Sequence, residues 1–104
     1  MYSRVTLLEI DTVRVDLDDA VEQYETKVMP RMRELPGYEG VAVMVTPDGK
    51  GMIVSFWDSE EAVEATAGFA SSALEEFVTL YRSPPGREHY KVAFAEMPRV
   101  TVES

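Results

Sequence analysis

LPGYEGVAVMVTPDGKGMIVSFWDSEEA, residues 35–62, reads as one unit: a helix stop, a strand, a turn, a second strand and a helix start. Pro36 disfavours helical geometry at Leu35, and Gly37 supplies a residue free to take positive φ. Val41, Val43 and Val45 alternate with Ala42, Met44 and Thr46, a β-branched, period-two pattern that predicts a strand. Both alternating sets are largely apolar, which predicts a strand covered on both faces. Pro47, Asp48 and Gly49 are turn chemistry, and Lys50-Gly51 extends the loop. The return strand runs from about Met52 to Trp57, with Met52, Val54 and Phe56 on one face and Ile53, Ser55 and Trp57 on the other. Asp58 or Ser59 then caps a helix, and Glu60 and Glu61 stand at its electropositive end.

Upstream, Ser3 to Ile10 predicts a first strand, in which Val5, Leu7 and Glu9 alternate with Thr6, Leu8 and Ile10. After the linker DTVRVD a helix starts near Asp16 to Asp18. Its apolar positions, Leu17, Ala20, Val21, Tyr24, Val28, Met32 and Leu35, follow helical spacing, and Pro30 predicts a kink within it. Downstream, the helix from Ser59 is expected to break at Gly68. Leu74, Phe77, Val78 and Tyr81 continue a helical period, and Ser83-Pro84-Pro85-Gly86 is expected to stop it. A last strand is expected from His89 to Met97, with Tyr90, Val92 and Phe94 on one face, Ala93, Ala95 and Met97 on the other, and a tail over 98–104.

The chain has 104 residues, the length of one domain, 1–104. The net charge is −9, which argues against nucleic acid and anionic membranes as partners. There is no cysteine, hence no disulfide, thiolate nucleophile or thiolate metal site. No signal-peptide pattern opens the sequence, and no run approaches the ~20 apolar residues of a membrane span. A cytoplasmic location is the expectation. No metal site is expected either: Asp16, Asp18 and Asp19 lack calcium-loop spacing and suit a helix start. The glycines form no nucleotide-binding pattern.

The order β-α-β-β-α-β predicts an α+β, ferredoxin-like fold: a four-stranded antiparallel sheet with both helices on one side. Strands apolar on both faces then need a second cover. The expected partner is another copy of the chain, packed sheet to sheet as a homodimer.

On LPGYEGV after the first helix, on the GKGMIVSFWDSEEA strand-to-helix junction and on the strand order, the chain resembles the dimeric α+β barrel superfamily. Within it, the chain is similar to the antibiotic biosynthesis monooxygenase domains, from Tyr2 to about Met97. The resemblance implies a cavity between sheet and helices in each protomer. It also implies two branches of chemistry. The haem-degrading branch uses a histidine on the second helical region, a second tryptophan after the strand-end one, and an asparagine on strand one. Here Glu76 or its neighbours stand at the histidine position and Thr66 at that of the second tryptophan, and the chain has no asparagine. The cofactor-free quinol and anthrone oxygenases fit better, which implies no cofactor and an aromatic or quinol-like ligand. Their set of asparagine, tryptophan, tyrosine and arginine is not recovered in full. A non-catalytic, ligand-binding or dimerising module is the alternative.

Five side chains are candidates for such a site. His89, the only histidine, is a candidate general base. Tyr24 and Tyr81, on apolar helix faces, are candidates to orient a ligand through their hydroxyls. Glu9 interrupts an apolar strand and is a candidate base, or a partner of an arginine across a dimer. Trp57 is a candidate cavity wall with Tyr24 and Tyr81, and equally a packing residue. Tyr38 reads as packing, Tyr90 as facing either cavity or partner, and Met29, Met32, Met44 and Met52 as core filler. An enzyme of this kind calls for a cavity of about 300 Å3 or more with at least two convergent polar groups.

Overall fold

The computed structural model describes residues 1–75 and 81–98, with the backbone alone at 74 and 82–85. The element order is β1 (Tyr2–Ile10), α1 (Leu17–Gln23), a π-helical turn (Tyr24–Val28), α2 (Met29–Met32), β2 (Tyr38–Val45), β3 (Lys50–Trp57), α3 (Glu60–Ala65), α4 (Ala67–Glu75) and β4 (Tyr81–Lys91). The sheet is antiparallel throughout, in the order β2-β3-β1-β4. This is the predicted α+β, ferredoxin-like arrangement.

Local chemistry explains most boundaries. The Asp16 carboxylate accepts the backbone N–H groups of Asp18 and Asp19 and starts α1. Pro30 has no N–H, and a proline ring crowds the carbonyl four residues back. The ladder slips just before it: Met29 N–H donates to Tyr24 O, a π turn, and Pro30 then sits in the first turn of α2. Ser59 Oγ accepts from Ala62 N at 3.1 Å and starts α3. The break between α3 and α4 falls at Thr66, whose hydroxyl donates to Ala62 O at 2.7 Å, rather than at Gly68.

The C-terminal part departs from the sequence reading. Tyr81 is not on a helix; it opens β4, opposite Ile10. Ser83-Pro84-Pro85-Gly86 does not end a helix but lies inside that strand. Gly86 pairs with Leu7 and Ser83 with Glu9, and the register shifts there and again before Tyr81, which marks two bulges. An edge strand tolerates this, since it pairs on one side only and its prolines break no inner ladder. β4 ends at Lys91, so Ala93, Phe94, Ala95 and Met97 are not in a strand; Phe94 is 87% exposed. Phe77 and Val78 lie outside the described residues.

Residues opposite one another in the sheet share a face. Tyr2, Arg4, Thr6, Leu8 and Ile10 therefore stand with Ile53, Ser55 and Trp57 on the helix-covered face. Val28, Met29, Met32, Trp57, Val63 and Ala73 form the core there. Val5, Leu7, Val54, Phe56, Ala42 and Met44 share the other face with Met52 and Tyr90. Leu7 is 55% and Met44 51% exposed on it. Met29 and Met32 are thus core as expected, but Met44 and Met52 are not.

Gly37 shows how tightly residues 35–62 close. Its φ is +83°, its carbonyl accepts from Asp58 N at 2.9 Å, and a Cβ there would lie 2.6 Å from both Ala62 Cβ and Asp58 Oδ1. Gly37→Ala is expected to cost about 1–3 kcal/mol in urea unfolding, since it adds strain at positive φ to the clash. Gly40→Ala meets nothing within 4 Å and serves as the control, with an expected change below about 1 kcal/mol.

Candidate functional site

Two small cavities lie between the sheet and the helices, and Tyr24 and Ile53 line both. The first, about 30 Å3, is walled by Leu8, Ile10, Val43, Val45 and Ala20, with Tyr24 and Tyr81 also in its lining. It is almost wholly apolar apart from the two phenols. The second, about 20 Å3, is lined by Arg4, Thr6 and Ser55 from the sheet and by Val28, Met32, Ala70 and Ala73 from the helices. Each holds one or two waters at most. Neither approaches the ~300 Å3 of a small-molecule pocket.

Arg4 is the unexpected member. It is 5% exposed, in the central part of the sheet, beneath α3. Its Nη2 donates to Val63 O at 2.5 Å and to Thr66 Oγ1 at 2.9 Å. The carbonyl belongs to the last turn of α3, where a cation is favoured by the helix dipole. The guanidinium carbon also lies 5.3 Å from the centre of the Trp57 ring. Burial lowers the pKa of Arg4, the nearby charge of Arg87 lowers it further, and Tyr24 opposes both. The sequence signal was its parity: Arg4 shares the period-two set of Thr6, Leu8 and Ile10, which points under the helices.

Tyr24 occupies the first position of the π turn. Its hydroxyl contacts Met32 Sδ at 3.9 Å, a weak bond that leaves it able to serve a better acceptor. Burial raises its pKa well above the ordinary phenol value, with Tyr81 and Tyr38 adding and Arg4 opposing. Tyr81 is raised too, by burial against an opposing Arg87. At neutral pH both are therefore neutral phenols: hydrogen-bond donors, not bases.

The other sequence candidates lie apart. Trp57 is fully buried. Its Nε1 donates to Ser55 Oγ at 2.9 Å, and Tyr38 meets its ring edge-on at 5.8 Å. Trp57 lines neither cavity, although Ser55 links it to the second. His89 is exposed on β4, in register with Arg4, and lines neither cavity. Glu9 stands half-buried on the open face, opposite Lys50. Tyr90 is on that face as well, its hydroxyl donating to Glu88. Among the described residues no three His, Cys, Asp or Glu side chains gather as a metal site, and no helix is long and apolar enough to cross a membrane.

No family model matches the sequence, and no curated protein matches it. Solved structures do. A monooxygenase from the ActVA-Orf6 gene of Streptomyces coelicolor, in complex with nanaomycin D, superposes with a TM-score of 0.72 at 20% identity, over 93% of this chain and 91% of that one. An antibiotic biosynthesis monooxygenase superposes with a TM-score of 0.67 at 13% identity, over 89% and 99%. The fold is that of the antibiotic biosynthesis monooxygenases. The same monooxygenase fold is found in the heme degrader MhuD of Mycobacterium tuberculosis, which holds two hemes in its active site; it matches with a TM-score of 0.67 at 13% identity, over 93% and 100%. Haem does not fit the residues here. The one histidine is on the exposed strand β4, and Thr66, near the second-tryptophan position, is buried as the acceptor of Arg4.

The raised pKa of Tyr24 gives a pH test. The unfolded phenol ionises near the ordinary value of 10.0, whereas the folded one resists. Stability from this group is complete below pH 10 and falls as pH rises toward the folded pKa. The urea midpoint of the wild type is expected to drop above pH 10 more steeply than that of Tyr24→Phe.

Proposed function

We propose that this chain is a cofactor-independent monooxygenase that acts, as a homodimer, on an aromatic or quinol-like small molecule bound between sheet and helices. One observation carries the reading: Arg4, Thr6, Ser55 and Tyr24 converge on a cavity in an otherwise apolar layer. Three of them, Arg4, Thr6 and Ser55, are buried, and burying polar side chains together costs free energy that packing does not return. The superposed monooxygenase bound to nanaomycin D supports an aromatic ligand. The chemistry needs no further reductant. Converting a CH2 group and O2 to C=O and H2O takes four electrons, all from the substrate carbon, and both hydrogens leave in the water. The protein's tasks are to hold the substrate, exclude bulk water and donate hydrogen bonds to the oxygen that gains charge. Tyr24, held neutral by burial, suits the last task.

The cavity volumes favour a second reading, a non-catalytic dimer that binds a small apolar ligand. Oxygen uptake separates the two. With a panel of anthrones and naphthoquinols, the enzyme reading expects one O2 consumed per substrate, well above the uncatalysed rate. Tyr24→Phe should then lower turnover roughly tenfold, the worth of about one hydrogen bond. His89→Ala should leave it unchanged. Binding with no uptake across the panel would leave the second reading.

The dimer is part of both readings. Leu7, Met44, Met52 and Tyr90 form an exposed apolar field on the open face of the sheet. A second copy covers such a face by a self-complementary contact. Sedimentation at micromolar concentration is expected to give twice the chain mass, and Leu7→Glu to shift it toward the monomer. A wild-type monomer would sink the dimer. A cytoplasmic location completes the reading.

A further inference from the structure

We propose that Arg4 is a ligand-binding residue, and that the ligand of the inner cavity carries an anionic oxygen, a carboxylate or a phenolate, that pairs with it. The inference rests on the reading that the inner face takes a small molecule, and it adds the charge of that molecule.

The guanidinium is buried in a chain of net charge −9, yet among the described residues no carboxylate is paired with it. Its two described bonds both leave from Nη2 and both go to uncharged oxygens. Arginine has five N–H donors in a planar fork. No acceptor among the described residues meets Nη1 or Nε, and no buried side-chain nitrogen there is sealed from solvent without a partner. The unused edge of the fork is therefore reachable, and Arg4 lines the second cavity.

A structural role explains half of this. The Nη2 bonds tie β1 to the end of α3, and a glutamine reaches such acceptors with no burial of charge. They do not explain a full guanidinium beside a second cation. Arg87 stands opposite Thr6 on the same face, Nη1 bonded to Ser71 Oγ at 3.0 Å, and its charge acts on Arg4. Arg4 thus faces the second cavity with no carboxylate paired to it among the described residues, and such a desolvated charge gains most from a bidentate anionic partner. Thr6 and Ser55 offer hydroxyl donors to the same oxygen. Tyr24 and Ile53 border both cavities, so a ligand with its charged end at Arg4 extends toward Tyr24 and Tyr81 once Tyr24 shifts.

Trp57 is the only tryptophan, and Arg4 lies 5.3 Å from its ring, so its fluorescence reports directly on the site. Benzoate and benzamide have one shape and differ in charge. Titrated into the wild-type protein, benzoate is expected to bind at least tenfold more tightly than benzamide. In Arg4→Gln, with folding checked by circular dichroism, the ratio should fall to about one. Arg87→Gln should lower it several-fold without abolishing it. Equal binding of the two ligands by the wild type overturns the anion proposal while the cavity reading stands. Binding of neither overturns both. The wild-type comparison decides even if Arg4→Gln does not fold.

Discussion

A guanidinium under a helix has to be satisfied wherever the chain puts it, and the structure is arranged around that need. Arg4 meets the end of α3 through Val63 O and Thr66 Oγ1, at the point where the helical stretch breaks. Trp57 lies under its charge, and Tyr38 packs edge-on against Trp57. One side chain thus links β1 to α3, and through Trp57 to β3 and β2. Each hydrogen bond from a charged donor is worth about 1.5–3 kcal/mol net, so the two Nη2 bonds matter for a domain of marginal stability.

The relation of this fold to chemistry is loose. Chains superposing at similar quality include a monooxygenase holding nanaomycin D and a degrader holding two hemes. Such a scaffold fixes where a ligand lies and leaves open what happens to it. The inner face of this chain has no histidine among its helices, an arginine on the first strand, and tyrosines whose ionisation burial pushes further from neutral pH. Those groups donate hydrogen bonds and charge; they do not take protons.

Much of the architecture was legible before any coordinates, because residues 35–62 are governed by neighbours in sequence. Gly37 at positive φ, the Asp48-Gly49 turn and the Ser59 cap each act within a few positions. The C-terminal third was not, because its determinants are distant. Tyr81 keeps helical spacing from Leu74, yet pairing with Ile10 makes it a strand residue. Pro84-Pro85 looks like a stop, and only a place at the sheet edge lets it continue a strand. The site was half legible. Tyr24 and Tyr81 line one cavity, but Tyr81 reaches it from a strand and not from the helix face expected of it. Glu9 stands out in the sequence as the charge in an apolar strand, while the buried charge is Arg4, five residues earlier and of opposite parity.

The bulged, proline-bearing strand β4 has a consequence for how the molecule meets others. It forms one rim of the sheet. Two of its residues have no N–H to offer, and its ladder is twice out of step. A foreign strand arriving at that rim finds an interrupted row of donors and a twisted backbone. Growth by adding strand upon strand, which has no natural end, is blocked on that side. The exposed apolar side chains Leu7, Met44 and Met52 lie elsewhere, on the open face of the sheet, away from that rim.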